Sequence, residues 1–331
     1  MSNQPSISVI IPTYNYAKFI QEAINSVLDS DFPQDQIEII VIDDGSTDKT
    51  AEVIQTYQDR VKYIYQKNSG KAWATKVGIE QAQGKYLFNL DADDLFCPNK
   101  IKEVVNIFEG DKDIVHVAHP AIYWNVNDGT RVPESIPEVL LGNKIDGKNL
   151  LFYFYKRRIL FGGGSTFAAR TEVLKTLDIP KNVDMFIDEY LVLLTVNGGY
   201  SFFFNQPLSV WRIHGKNFSD LTSDRESYKI KSQRRMASME AVLSKLIEQP
   251  FEPEIIKIYS LKTKVENIAI KEQLGQKSIA DILELWIYIF SNFKWFQKDI
   301  LKIIKSYTIL NRSLPISLLK ILKQMKKKIA K

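Results

Sequence analysis

The chain has 331 residues, 45% hydrophobic and 25% charged, which is globular composition with room for one large domain or two smaller ones. Its one cysteine, Cys97, excludes an internal disulfide and fits a reducing compartment, and with only His116, His119 and His214 beside it a structural zinc site is a poor fit. The net charge of +5 is uneven: residues 294–331 hold eleven Lys or Arg and one acid, Asp299, a net +10 that leaves −5 for the rest and points to a partner of negative charge.

The N-terminus has no basic leader and runs straight into an apolar stretch, so no secretory signal is expected. Ile7–Ile11 predicts a buried strand, closed by Pro12 and the polar turn Thr13-Tyr14-Asn15. Phe19, Ile20, Ala23, Ile24, Val27 and Leu28 recur at helical spacing over 17–28. Ile37–Ile42 predicts a second strand ending in Asp43-Asp44-Gly45-Ser46, with Ser46 or Thr47 placed to cap a helix over 48–58. Val61–Tyr65 alternates as a third strand, and 70–83 predicts a helix. Tyr86–Leu90 is an apolar run that ends in Asp91-Ala-Asp93-Asp94. Pro98 is suited to open the next helix, and Ile114–Val117 predicts a fifth strand.

Beyond residue 125 the pattern loosens. Lys156-Arg157-Arg158 reads as a solvated cluster or a phosphate contact, and Phe161–Thr166 is a glycine-rich turn before a short strand over 166–169. Thr171 starts a short helix. Asp188 and Glu189 open another over 190–196, where simple capping of the helix dipole is one reading and chemistry another. A strand over 200–204 precedes Arg212, His214 and Ser219 in a polar stretch. From about 223 the chain reads as helical, with apolar positions at 282, 285, 286, 289 and 290, then at 300, 303, 304 and 307. Pro315 opens a last amphipathic stretch, and no 18-residue window lacks charge, so no membrane span is expected.

Strand–helix alternation at short intervals predicts an α/β fold with a mainly parallel sheet. In such sheets ligands bind beyond the carboxyl ends of the strands. The first, second and fourth strands all place polar residues there: Thr13/Tyr14/Asn15, Asp43/Asp44 and Asp91/Asp93/Asp94. Three carboxylates within four residues repel unless a cation or several donors sit among them. Oxygen ligands on a short turn suit Mg²⁺ or Mn²⁺, with a substrate phosphate completing the shell. One Asp capping a helix while the others are solvated is the plainer alternative.

Four stretches stand in order: Val9-Ile-Ile-Pro-Thr-Tyr-Asn15, Val41-Ile-Asp-Asp-Gly-Ser-Thr-Asp48, Asn68-Ser-Gly-Lys-Ala72 and Asp91-Ala-Asp-Asp94. This series closely resembles the family 2 glycosyltransferases of the GT-A fold, over about residues 5–220. The resemblance implies a GT-A nucleotide-sugar-binding domain over 1–222 and a C-terminal α-helical extension over 223–331. It implies an inverting transferase that uses a nucleotide-sugar donor, usually a UDP-sugar, and a divalent cation, Mn²⁺ or Mg²⁺. It places Pro12, Thr13 and Tyr14 along base and ribose, Asp43 at the uracil imide, Asp91 at the ribose or nearby, and Asp93 on the metal. Lys71 joins the donor-binding set, and Arg212, His214 and Ser219 match a later motif that closes over diphosphate and metal, His214 as a metal ligand. The acidic pair that supplies the catalytic base reads Asp188-Glu189 where Glu-Asp is commoner, and position favours Glu189.

The resemblance implies a saccharide or lipid-linked acceptor, with specificity expected in the irregular 125–165 region and the C-terminal helices. The basic 294–331 tail is expected either to meet an anionic membrane surface, placing a cytoplasmic enzyme at the inner face of the cell membrane, or to pack or form a homodimer. No nucleic-acid partner is expected, since the body is acidic and carries no such motif. A nucleotidyltransferase would carry a glycine-rich basic loop where Pro12–Asn15 stands. A phospho-receiver module leaves Asp91–Asp94 without a role, and a non-catalytic nucleotide-sugar-binding protein fits the inverted acidic pair.

Overall fold

The computed structural model describes residues 5–57, 59–157, 159–215, 217, 225–292 and 294. Along the chain these form β1 (Ile7–Thr13), α1 (Ile20–Leu28), β2 (Ile37–Asp43), α2 (Thr50–Gln55), β3 (Val61–Tyr65), α3 (Lys71–Gln81), β4 (Tyr86–Asn89) and β5 (Leu95–Phe96). Next come α4 (Lys100–Gly110), β6 (Ile114–Ala118), β7 (Ala121–Asn125), β8 (Arg131–Pro133), β9 (Lys144–Asp146), α5 (Gly147–Arg157), β10 (Ala168–Arg170), α6 (Thr171–Lys175) and α7 (Ile187–Val196). The series ends with β11 (Tyr200–Phe203), β12 (Ser209–Ile213), α8 (Arg225–Glu248), α9 (Pro253–Gln273) and α10 (Ile279–Ser291). They make two compact units, one of the residues up to Phe152 with Leu160–Lys245, the other of Tyr153–Ile159 with the residues from Leu246.

The first unit is built on an eight-stranded sheet in the order β3-β2-β1-β4-β10-β6-β11-β9. Strands β3, β2, β1 and β4 are parallel, as are β6 and β11, while β10 runs antiparallel to both neighbours and β9 forms an antiparallel edge. All seven residues of β1 are buried, the continuous apolar reading expected of a parallel strand covered on both faces. The register sets Thr13 level with Asp43, and Asp43 level with Tyr65. Three strand ends therefore finish on one edge, which puts their polar residues side by side. Helix α3 packs tightly on β1 at Gly78, where a Cβ would stand 2.8 Å from Ile42 Cδ1 and 3.1 Å from Ile10 Cβ. A second sheet of the same unit, β5-β12-β7-β8, carries Arg212 towards the acidic turn after β4.

Several local expectations shift. Neither Ser46 nor Thr47 caps α2: Asp48 accepts from the Thr50 amide at 3.0 Å, while Ser46 and Thr47 bond to Asn15. Helix α4 begins at Lys100, two residues after Pro98, with Asn99 in the turn before it. Part of the loose region is helix α5, whose aromatic cluster hides its period. Strand β12 lies where only a polar stretch was expected, because its pairing with β7 is supplied by residues 88 positions earlier. In the second unit, α10 buries Leu285, Trp286 and Ile289 as its spacing predicts, but Phe290 faces solvent with Ile279, Leu283 and Ile287. Tail residues 295–331, which carry the expected membrane contact, lie outside the described residues, as do Arg158 and Ser219.

Candidate active site

The site is assembled from loops at the carboxyl edge of the parallel strands. Asn15, the one non-glycine residue with positive φ among those described (φ 59), locks the loop after β1 onto the loop after β2. Its Oδ1 accepts from the Thr47 amide at 2.7 Å, and its own amide donates to Ser46 Oγ at 2.9 Å. Thr13 is buried at that strand end, and its Oγ1 has no hydrogen-bond partner. Tyr14 is 45% exposed beside it, and Pro12 lies in the same strand end.

Asp43 is buried, with Oδ1 accepting from the Ser46 amide at 2.8 Å and Oδ2 from the Tyr63 hydroxyl at 2.8 Å. Asp44 accepts from the Ser69 and Gly70 amides, each at 2.8 Å, and from Gln66 Nε2 at 2.7 Å. That carboxylate sits at the N-terminus of α3, where the helix dipole favours it. It fixes the loop that delivers Lys71. Gly70 is required at this corner: its φ is +91, and a Cβ would meet Asp184 Oδ1 at 2.6 Å.

Lys71 joins two acidic elements. Its Nζ lies 2.9 Å from Asp91 Oδ1 and 3.1 Å from Asp188 Oδ2. The two carboxylates push the lysine upward beyond the usual range, against the desolvation that favours its neutral form. Asp188 also accepts from the Gly164 amide; the crowded site desolvates its carboxyl and Asp91 repels it, so its pKa is raised despite Lys71. Glu189, next to it in the first turn of α7, is 6% exposed. The structure thus brings Asp188 into the Lys71–Asp91 cluster and buries Glu189 beside it.

The acidic turn is held from below. Ser165 Oγ accepts from the Asp91 amide at 3.0 Å and donates to Asp94 Oδ2 at 2.6 Å, while the Arg212 amide donates to Asp94 Oδ1 at 3.1 Å. Burial, with Asp93 and Asp91 adjacent, holds the Asp94 carboxyl well above the usual carboxylate range. The Arg212 guanidinium donates to the Asp93 carbonyl, to Glu22 Oε2 and, at 3.2 Å, to the Phe19 carbonyl. It is a buried brace between the acidic turn and α1, and would have to leave these partners to touch a diphosphate.

Asp93 Oδ2 stands 3.1 Å from His214 Nε2 and 3.1 Å from Asn217 Nδ2. His214 stacks on Phe19 with centroids 4.3 Å apart, and Tyr16 meets its edge at 6.2 Å. Tyr16 also hydrogen-bonds Asp93, and burial together with that carboxylate raises its phenol. Two atoms bound to one octahedral Mg²⁺ or Mn²⁺ at about 2.1 Å, at a right angle, stand about 3 Å apart. Asp93 Oδ2 and His214 Nε2 have that spacing, and both are donor types such ions accept. No third acid, histidine or cysteine joins them in a metal-holding group among the described residues, so a ligand or water would fill the other positions.

Sequence reasoning missed Tyr16, Asn217, Ser165 and Lys100, and it placed Asn15 at the edge without its bracing role. Tyr16 carries a readable signal, since Tyr14-Asn-Tyr16 places two aromatics on one turn. Lys100 and Ser165 carry none, being single polar residues in unremarkable local patterns.

A mainly parallel α/β sheet with an acidic turn and a carboxylate–imidazole pair at its carboxyl edge has the architecture of the GT-A fold. Residues 8–177 match the family described as Glycosyl transferase family 2. The chain belongs to that family. It is 34% identical over 228 residues to an uncharacterized glycosyltransferase of Nostoc sp., covering 64% of this chain and 66% of that one. It is 30% identical over 177 residues to the poly(ribitol-phosphate) β-N-acetylglucosaminyltransferase TarS of Staphylococcus aureus, covering 52% of this chain and 29% of TarS. The chain therefore matches two thirds or less of the length of these relatives. Its fold is similar to crystal structures of S. aureus TarS 1–349 with UDP-GlcNAc (TM-score 0.62, 17% identity, 93% of this chain and 91% of that one). It is also similar to a Pyrobaculum calidifontis mannosyltransferase with GDP-Man and Mn²⁺ (TM-score 0.52, 17% identity, 94% and 88%).

Proposed function

We propose that the protein is a metal-assisted, inverting glycosyltransferase that moves a sugar from a UDP-sugar to a hydroxyl of a saccharide or lipid-linked acceptor. The observation that carries this reading is the Asp93–His214 pair, 3.1 Å apart, beside the Lys71–Asp91–Asp188 cluster on one sheet edge. The UDP-GlcNAc complex of TarS supports a uridine donor, and the GDP-Man and Mn²⁺ complex of the mannosyltransferase supports a divalent cation.

Thr13 Oγ1, buried and unpartnered, fits a hydrogen bond to the nucleoside, with Pro12 and the exposed Tyr14 ring alongside. Each Asp43 oxygen accepts one protein hydrogen bond and keeps a lone pair for the uracil imide. Asp93 and His214 are the residues that would hold a divalent cation, which would supply Lewis-acid stabilisation of the leaving diphosphate. Lys71 and Asp91 orient the donor at its sugar end. Asp188 is committed to Lys71 and the Gly164 amide, so it serves as the orienting member of the α7 pair. Glu189 is the base that takes the acceptor proton as the hydroxyl attacks the anomeric carbon from the face opposite the diphosphate.

The test is UDP release across a panel of nucleotide sugars, UDP-GlcNAc first and GDP-Man as a contrast, with and without Mn²⁺. Thermal shift reads binding independently, since a donor that binds the native state raises the melting temperature by mass action. Absence of any nucleotide-sugar shift or turnover would remove the reading. Within it, Glu189→Gln is expected to lose about 10²-fold in turnover with donor affinity retained, and Asp188→Asn to act more on donor KM. A dead Asp188 variant beside an active Glu189 variant would exchange the two roles.

A further inference from the structure

Lys100 lies at the start of α4, fully buried, and burial holds its amine well below the usual lysine range. No carboxylate pairs with it among the described residues. Its Nζ donates to the Ser165 carbonyl at 2.6 Å and to Ser209 Oγ at 3.1 Å, and stands 3.5 Å from the Phe96 ring centroid. Two acceptors and one aromatic face thus surround the amine. Ser209 Oγ in turn donates to the same Ser165 carbonyl at 2.7 Å. An amine buried with no carboxylate paired to it incurs a desolvation cost that a well-packed apolar side chain would not, so it is seldom kept for stability alone.

What it holds is the short turn after the glycine run. On one side of that turn the Gly164 amide donates to Asp188. On the other, Ser165 Oγ bonds the Asp91 amide and Asp94 Oδ2 at once, the two ends of the acidic turn. Upstream, the Gly162 carbonyl bonds His116 Nε2 at 3.0 Å. Gly164 has φ +55, and a Cβ there would come within 3.4 Å of Asp91 Oδ2 and 3.8 Å of Asp188 Oδ2. The turn is therefore the spacer between the acidic turn and the α7 carboxylates.

We infer that Lys100 is a positioning residue: by pinning the Ser165 carbonyl it sets the separation of Asp91–Asp94 from the first turn of α7, and so the alignment of donor and base. It touches neither substrate nor reacting atoms. This role rests on the transferase reading for its consequence, but its geometric part is measurable without turnover.

The experiment uses the full chain with Lys100→Met, which keeps the stem and removes the amine with its hydrogen bonds. Hydrogen exchange is followed at the Asp91 and Phe167 amides, bonded to Ser165 Oγ and the Gly164 carbonyl. Both should lose protection, while amides of β1 keep theirs. Ser209 Oγ still donates to the Ser165 carbonyl in the variant, so no buried acceptor is orphaned there and the chain should remain folded. On whichever donor the wild type turns over, kcat should fall by about 10²-fold, the scale of an ångström of misplacement, with UDP affinity by calorimetry within a few-fold. Ser165→Ala removes the acceptor of the Asp91 amide but keeps the pinned carbonyl, so it should expose Asp91 alone and leave Phe167 protected. Wild-type exchange at both amides, or a loss of activity matched by a loss of folded protein, would overturn the proposal. A wild type inactive on every donor, with the exchange change still present, would count against the transferase reading and leave the pin standing.

Discussion

Asp93 concentrates the chemistry at the scale of single residues. Its side chain faces His214, Asn217 and Tyr16, while its carbonyl is held by Arg212. Asp93→Ala should abolish transfer and weaken Mn²⁺-dependent UDP binding without unfolding the protein. Unchanged Mn²⁺-dependent affinity by calorimetry would remove Asp93 from the metal site. Arg212 makes a different prediction, because its guanidinium satisfies the Phe19 and Asp93 carbonyls in a buried place. Arg212→Gln should cost about 1–3 kcal/mol, the penalty for orphaned buried acceptors, read as a lowered denaturation midpoint. A residue whose main work was at the diphosphate would instead lose donor affinity at unchanged stability.

Elements carry the pH dependence. His116 on β6 bonds Ser201 on β11 and Gly162, and burial lowers its pKa from 6.5 to about 4. The unfolded chain takes that proton first, so the contribution is intact above 6.5 and is lost progressively as pH falls towards 4. Histidine ring resonances should show His116 neutral down to pH 5; a midpoint above 6 would mean that the β6–β11 seam is open to water. Helix α10 begins with a capping box in which Ser278 and Asp281 bond each other's backbone, and Lys271 pairs with Asp281. Asp281 is lowered from 3.8 to about 2, chiefly by Lys271, so its contribution is present above 3.8 and fades as pH falls towards 2. Ser278→Ala should cost about 1 kcal/mol, seen as earlier exchange of the first α10 amides.

At the scale of the whole molecule, the tail of net +10 follows directly on α10, whose outer face is apolar. Basic residues near an anionic bilayer contribute about 1 kcal/mol each. The full chain should therefore pellet with anionic vesicles at low salt and less at high salt, and a chain ending at Ser291 should not. Equal behaviour of the two would make the tail a packing or oligomerisation element. Among the described residues no helix is long and apolar enough to cross a membrane. The strand–helix alternation, the acids at three strand ends and their ordered motifs were legible in the sequence, because each is a local pattern of period, breaker and charge. What pairs across the fold was not. Lys71 meets Asp188 at a separation of 117 residues, Arg212 meets Asp93 at 119, and Lys100 meets Ser165 at 65. Those meetings depend on sheet order and on an antiparallel β10 set between parallel strands, which no local periodicity encodes. So the chain's sequence by itself determined the fold class and the edge where chemistry gathers. Only the tertiary structure decided which carboxylate joins the lysine, that Arg212 is a brace, and that a buried lysine holds the turn between them, since long-range packing selects among side chains that look alike in sequence.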